Sequence, residues 1–274
     1  MDDTQQGREQ GLGATQSGNG SRAAHDGTDA IRHAGVQAAH EAEHNWLLRS
    51  LSVEDYGWLT PQLTPVRLRL KEILVEPNEP ITHVWFMREG VASLIATEQE
   101  GGDVEVGTAG NEGLVGIPVL LSDDTMSNRV MVQVEGEAWR ISSDVFKRVL
   151  DERPSLRKIC LRYAAYFMTE LSQSVACNRL HTLEERASRW LLLTHDRVQG
   201  NTFEMTHEFL ALMLGVRRAG VSVAMGMLQG AGAIRYARGR VEVLDRNLME
   251  ETSCDCYRIT RTNLERLFGP QVRR

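Results

Sequence analysis

Apolar and polar residues alternate from Val66 to Lys71, with Val66, Leu68 and Leu70 set against Arg67, Arg69 and Lys71. That period of two is the pattern of a half-buried strand. Strand-like runs continue at 72–76, 83–87, 91–96, 103–106 and 129–141. The breaks between them are turn-forming: Pro77-Asn78-Glu79-Pro80, Arg88-Glu89-Gly90, Glu100-Gly101-Gly102 and Val134-Glu135-Gly136-Glu137. Many short strands with polar turns predict an antiparallel sandwich or jelly roll whose concave side can hold a ligand. Just before them, Trp46, Leu47, Leu48 and Leu51 crowd together and lead into a short helix over 52–63.

After Ile141 the period changes. Ser142 or Ser143 can cap a short helix running to Leu150, and Pro154 suits the first turn of a longer one. Along the latter, Leu156, Cys160, Tyr163, Phe167, Leu171, Ser174 and Asn178 recur at spacings near 3.5, with Ile159, Ala164, Met168 and Val175 widening the apolar stripe. A lone amphipathic helix covering the sheet would show much the same stripe. Its breadth favours two contacts at once, one with the sheet and one with a second copy of the helix, so Tyr163, Phe167 and Leu171 are the expected seam of a homodimer. Another helix is expected from Leu183 to Arg197, before the loop Val198-Gln199-Gly200-Asn201.

Between Met205 and Leu244 the pattern points to a specific motif. Thr206 can cap a helix that carries Glu208 in its first turn and Phe209, Leu210, Met213 and Leu214 on its inner face. Gly215 ends it, and a second helix starting near Arg217 buries Val221, Ala224 and Leu228. Small Ala211 at the crossing, Gly215 at a turn needing positive φ and Val221 as anchor make a helix-turn-helix, although any αα-hairpin can match that pattern. The following Ala233-Ile234-Arg235-Tyr236, Ala237-Arg238-Gly239-Arg240 and Val241-Glu242-Val243-Leu244 read as a hairpin with arginines at its tip, a wing. Arg217, Arg218, Arg235, Arg238 and Arg240 occur here with no acidic residue between Arg217 and Arg240. A run of charge is usually a solvated face. These arginines, however, fall where a recognition helix and wing must meet base edges and phosphates, so Thr206, Arg217, Arg218, Ser222, Arg238 and Arg240 are the candidate DNA-contacting residues.

Composition refines this picture. The 274 residues are 42% hydrophobic and 25% charged, the balance of a folded protein with room for two domains and a tail. The net charge of −6 excludes an overall polybasic coat, so basicity has to be local. No apolar run is long enough for a membrane helix, the first residues lack a signal-peptide core, and a cytoplasmic chain with no membrane partner is expected. Residues 1–44 are rich in Gly, Gln, Ser, Ala, Asp and His, a composition that predicts a disordered tail, with a partner-binding arm as the other reading. Four cysteines, Cys160, Cys177, Cys254 and Cys256, are too few for a disulfide scaffold. Cys254-Asp255-Cys256 has no second pair near it in sequence and is taken as structural or incidental. Gly107, Gly110, Gly113 and Gly116 recur every three residues without forming a dinucleotide motif, and sheet turns suffice to explain them. No nucleophile, base and orienting group assemble from spacing, so no enzyme, cofactor or metal site is expected.

The order of jelly roll, long helix and winged helix-turn-helix resembles the Crp/Fnr family of bacterial transcription regulators over about 45–244. The residues that carry the resemblance are Glu79 to Met87 with Gly90 and Ser93, Gly110-Asn111-Glu112-Gly113-Leu114-Val115-Gly116, and Met205 to Ile234. With the tail over 1–44 that composition predicts, the resemblance implies an α+β chain: a jelly-roll sensor domain over 45–153, a dimerisation helix over 154–180 and a winged helix-turn-helix domain over 181–274. It implies a homodimer on double-stranded operator DNA, RNA polymerase as a partner, and a small-molecule effector near Gly113, Gly116, Ser127 and Arg129. Two departures from the family pattern stand out. Where the familiar members carry Arg-Glu and a later Arg in the recognition helix, this chain has Arg218-Ala219 and Val223, so Arg218 is left to read guanine and the operator should differ. Where cyclic-nucleotide binders carry Gly-Glu and Arg-Ser or Arg-Thr, it has Gly116-Ile117-Pro118 and Met126-Ser127-Asn128-Arg129, so no cyclic AMP or cyclic GMP binding is expected. The amino-terminal cysteine cluster of the iron-sulfur members is absent, and a redox- or metal-responsive sensor signalling through Cys254 and Cys256 is the alternative reading.

Overall fold

The computed structural model describes residues 33–98 and 102–269. Residues 1–32 of the expected tail, and part of the turn expected at Glu100-Gly101-Gly102, lie outside the described residues. The chain is already regular before Asn45: α1 covers 33–41, and Glu43 is buried. Its carboxylate accepts from Tyr56 Oη at 3.0 Å and Trp139 Nε1 at 2.8 Å and pairs with Arg88. Asn45 donates to the carbonyls of Met87 and Gly113 at 2.7 and 2.8 Å while capping α2 (Trp46–Arg49). These polar anchors fasten α2 and α3 (Val53–Leu59) to the sheets, so a tail boundary at 44, set on composition, falls too late. Composition could not register two polar residues that are fully partnered.

Eight strands form two antiparallel four-stranded sheets. One has the order β1 (Thr64–Leu68), β8 (Gly136–Ser142), β3 (His83–Met87) and β6 (Leu114–Val115). The other runs β2 (Ile73–Val75), β7 (Arg129–Val134), β4 (Val91–Glu98) and β5 (Gly102–Ala109). Leu68, Val75, Val84, Phe86, Leu94, Val130, Val132 and Ile141 fill the space between them. A short α4 (Ile117–Leu120) bridges β6 and β7. Ser142 caps α5 (Ser143–Glu152), and Pro154 opens α6 (Pro154–Leu180), the 27-residue helix that the 3.5-residue spacing predicted.

Three of the four regularly spaced glycines have a steric role in seating α6 and the segment after it. A Cβ at Gly107 would lie 2.7 Å from Leu171, one at Gly110 2.3 Å from Arg197, and one at Gly113 2.0 Å from Tyr163. The repeat is a smooth track for close approach, and only Gly116, with φ of 106°, is there for its backbone conformation.

Thr182 and Glu185 form a capping box at the start of α7 (Leu183–His195). A short β9 (Thr202–Glu204) then precedes α8 (His207–Leu214), α9 (Arg218–Gly230), β10 (Ile234–Ala237) and β11 (Arg240–Val243). Two helices not read from the sequence, α10 (Arg246–Thr252) and α11 (Asp255–Phe268), complete the described residues. The expected single domain over 181–274 therefore does not describe the end of the chain. α11 turns back onto α6, and its Leu264 and Phe268 join the core of the sandwich, with Phe268 edge-on to Trp46 at 5.7 Å. Among the described residues no single helix is long and apolar enough to cross a membrane.

Candidate nucleic-acid interface

Helices α8 and α9 meet at 108°, within the range for a helix-turn-helix. The side chains that set this angle are those the spacing selected. Thr206 Oγ1 accepts from the Phe209 N–H at 3.1 Å, Gly215 ends α8 at φ 63°, and Ala211 and Val221 are buried at the crossing. Gly220 permits the close approach of Leu183 from α7. Ala224, Met225 and Leu228 bury the other side of α9 against α7.

The outward face of α9 is small and apolar. Arg218 and Ala219 lie at its start, followed by Val223, Gly226 and Met227, with Val223 65% and Met227 51% exposed. Arg217 is the N-cap residue and exposed. Arg218 is paired with Glu208 of α8 at 2.5 Å, both side chains being about two-thirds exposed. Such an exposed pair contributes about 0–1 kcal/mol, less than the roughly 1–3 kcal/mol of a bidentate contact to guanine, so Arg218 is releasable. Ser222 Oγ donates to the Arg218 carbonyl at 3.2 Å and meets His207 Nδ1 at 3.0 Å; that imidazole stacks on Tyr236 of β10. Burial and the nearby Arg218 hold the His207 pKa below its ordinary value.

The wing is a two-strand hairpin closed by Arg238 at φ 52° and Gly239 at φ 75°, the consecutive left-handed pair of a tight I′ turn. Of the five clustered arginines, Arg235 is spent on a cross-strand pair with Glu242 at 2.6 Å and Arg218 on Glu208. Arg217, Arg238 and Arg240 are exposed and make no ion pair among the described residues. Thr206, Arg238 and Arg240 line one groove of about 570 Å³ together with Lys71 of the sandwich.

The effector candidates do not come together. Gly116 lines an apolar cavity of about 40 Å³ with Leu94, Ile117, Met126, Val130 and Phe167. Gly113 instead lies under Tyr163, Ser127 is exposed on the surface, and Arg129 is held by Glu76 at 3.1 Å.

The residues of the expected dimer seam lie against the sheet of their own chain. Tyr163 is fully buried within its own chain, and Phe167 and Leu171 pack against Gly107 of β5. That stripe covers the sheet. A second stripe, Leu161, Ala165, Met168, Ser172 and Val175, repeats at spacings of four and three on the open side of α6, with Leu161 42%, Met168 66% and Val175 71% exposed.

Between the sandwich and α7 lies a buried polar junction that spacing did not reveal. Arg197 donates to both oxygens of Glu112, at 3.0 and 2.7 Å, and to Thr108 at 2.8 Å, and stands 3.8 Å from Glu170. Burial pushes the Glu170 carboxyl above its ordinary range, opposed by Arg197. Beside it Glu105 accepts from Ser93 at 2.6 Å and from Trp190 Nε1 of α7 at 2.8 Å, and desolvation raises its pKa from 4.5 to about 7 against the pull of those hydrogen bonds. His195 is also buried here and faces Asn201 and Arg246.

Two family descriptions match the chain: a cyclic nucleotide-binding domain over residues 65–153 and a Crp-like helix-turn-helix domain over residues 185–252. Among solved structures, FixK2 from Bradyrhizobium japonicum aligns with a TM-score of 0.60 at 14% identity, covering 70% of this chain and 98% of that one. A CRP-family transcriptional regulator from Thermus thermophilus aligns at 0.58 with 21% identity, covering 69% of this chain and 96% of that one. The c-di-GMP responsive global regulator CLP from Xanthomonas campestris aligns at 0.50 with 18% identity, covering 70% of this chain and 99% of that one. At these identities the likeness is one of fold. No curated protein matches the chain.

Proposed function

The chain belongs to the Crp/Fnr family of transcriptional regulators, and from that premise we propose that it is a homodimer that binds double-stranded operator DNA through α9 and the wing. The observation that carries this reading is the placement of Arg217, Arg238 and Arg240, exposed and without ion pairs among the described residues, at the N-terminus of a helix crossing at 108° and at the tip of the adjoining hairpin. Phosphates are met by Arg238 and Arg240 and bases by the start of α9. Arg218 leaves Glu208 for a guanine edge. Ala219 and Val223 offer methyl groups where a polar readout would need donors, so these positions select thymine through its C5-methyl. Domain bounds follow the elements: a sensor sandwich ending at 153, α6 as the dimer helix and a winged domain from 181 whose last helix returns to the sandwich. RNA polymerase is the partner that a regulator so built would engage.

Dimerisation runs along Leu161, Ala165, Met168, Ser172 and Val175. Spacings of four and three keep these residues facing a partner helix, whereas Tyr163 is buried in its own chain and Phe167 and Leu171 are half-buried against β5. The sensor pocket is not one for a cyclic nucleotide. A ligand of that size needs some 300 Å³ or more, with partners for an anion and hydroxyls, and the apolar cavity of about 40 Å³ supports a small uncharged effector.

Salt-dependent fluorescence anisotropy on labelled duplex tests the interface. Each of Arg238→Ala and Arg240→Ala removes two cations from a dimer and should flatten the slope of log K against log salt by about 1.8. An unchanged slope in both variants overturns the phosphate assignment.

A further inference from the structure

The last described helix, α11, lies outside both matched segments, and what fastens it is a cluster that linear spacing conceals. Cys177 and His181 stand four residues apart at the end of α6, so they share one face of the helix. Cys254 is the N-cap residue of α11 and Cys256 lies in its first turn. The fold carries one pair onto the other across 77 residues of sequence. Cys177 Sγ and Cys254 Sγ are 3.5 Å apart, Cys256 Sγ is 3.5 Å from His181 Nδ1, and all four donor atoms lie within 4.8 Å of one another. The three cysteines are buried and form a packing cluster of their own, while His181 is half-buried.

We propose that Cys177, His181, Cys254 and Cys256 bind one zinc ion, which pins α11 to the end of the long helix α6. A zinc–sulfur bond of about 2.3 Å gives a tetrahedron with edges of about 3.8 Å, close to the donor separations seen here. A polynuclear iron–sulfur cluster has to fit between its thiolates and holds them farther apart. The donor set is three thiolates and one imidazole, with no carboxylate, and three of the four donors are closed off from solvent. Those are the features of a structural zinc site rather than a catalytic one, which keeps a position open. His181 presents Nδ1 to the sulfurs, so that nitrogen ligates and Nε2 stays outward.

The surroundings fit a cluster with negative charge. Gln173, one turn before Cys177 on α6, donates Nε2–H to Cys256 Sγ at 3.0 Å, an outer hydrogen bond of the kind that orients a metal ligand. Cys254 and Cys256 sit at the N-terminus of α11, where backbone N–H groups favour thiolates. Arg186 and Arg189 of α7 interact electrostatically with Cys177; Arg189 is buried and Arg186 half-buried, and each has a buried Nε with no hydrogen-bond partner. A buried guanidinium needs a counter-charge. Three thiolates around a dication leave one net negative charge, which supplies it.

The test uses the full chain, purified under reducing conditions without chelator. Elemental analysis should find one zinc per chain. Replacement by cobalt(II) in the wild-type protein should give the visible d–d bands and near-ultraviolet thiolate charge-transfer band of tetrahedral sulfur coordination. Cys177→Ser and Cys256→Ser should each lose the zinc, and Cys160→Ala, at a buried thiol outside the cluster, should retain it. Because a variant can fail to fold, competition for zinc between the metal-stripped wild-type protein and a chromophoric chelator provides a reading that needs no substitution. Wild-type protein that holds no zinc and fails to compete overturns the proposal. Copper or iron at the same stoichiometry overturns the choice of ion, and an intact mass lower by two hydrogens, with no metal, shows a Cys177–Cys254 disulfide in its place.

Discussion

Replacing Arg197 with alanine should destabilise the protein more than any single change at its exposed surface. The guanidinium donates to both oxygens of Glu112 and to Thr108, and the three ionisable groups at the junction, Arg197, Glu112 and Glu170, are 5%, 1% and 3% exposed. Without it, the Glu112 carboxylate keeps only the Gly110 N–H at 3.0 Å. Glu170 loses the charge that opposes its desolvation. Removing one member of a buried pair costs about 3–5 kcal/mol, a large share of a typical net stability of about 5–15 kcal/mol. With a urea slope of about 2–3 kcal/mol/M, the midpoint should fall by about 1–2.5 M, read by tryptophan fluorescence at fixed protomer concentration. Adding Glu112→Gln should recover part of that loss, since a neutral amide is less costly to leave buried than a carboxylate. A cost below about 1 kcal/mol for Arg197→Ala, or a further loss on adding Glu112→Gln, would refute the assignment of this junction as a buried, charge-balanced pair.

The same junction carries a pH dependence. The folded protein holds a proton on Glu105 up to about pH 7 that the unfolded chain releases near 4.5, so stability should fall as pH rises through that window, by up to about 3 kcal/mol, and level off above it. Glu105→Gln should flatten the profile in pH-resolved urea titrations, and a profile as steep as wild type would remove Glu105 as its source. Met168→Glu or Val175→Glu should convert dimer to monomer in sedimentation experiments, and a dimer unaffected by both places the seam elsewhere. Replacing operator thymines by uracil should weaken wild-type binding by about fourfold per contacted methyl but leave Val223→Ala less affected, which competition binding reads directly; equal losses would exclude Val223 as the methyl contact. Calorimetry with cyclic AMP and cyclic GMP should show no saturable micromolar binding; such binding, abolished by Arg129→Ala, would make Arg129 a phosphate ligand.

The parts of this fold that were legible in sequence are those with a local cause. Alternation at 66–68 and turn residues such as Pro77-Asn78 marked the strands, whereas the alternation continued to Lys71 past the end of β1, where Leu70 is exposed and Lys71 turns at φ 66°; Thr206, Ala211, Gly215 and Val221 each answer to a steric or capping demand within a few residues. The long helix was legible in length and not in orientation. It carries apolar residues on both the Tyr163 side and the Met168 side, and periodicity cannot say which stripe the sheet will cover. The glycines at 107, 110 and 113 reveal their purpose only when α6 and Arg197 lie over them. The charge census from 217 to 240 missed Glu208 and Glu242, which flank the segment and neutralise two of its arginines. The cysteine cluster was the least legible, because its halves are separated by most of the winged domain. The spacing of Cys177 and His181 on one helical face was the signal that could have prompted a search for a partner to Cys254 and Cys256.

Selection of duplexes from a random pool by the purified protein decides whether α9 reads DNA in a dimer. The expected outcome is enrichment of a two-fold symmetric motif with half-sites about one helical turn apart, centre to centre, guanine at the position read by Arg218 and thymine beside it. Arg218→Ala should relax the preference at that guanine alone. No enrichment over the starting pool, or a motif without symmetry bound by a single chain, would contradict a dimeric regulator that reads DNA through α9.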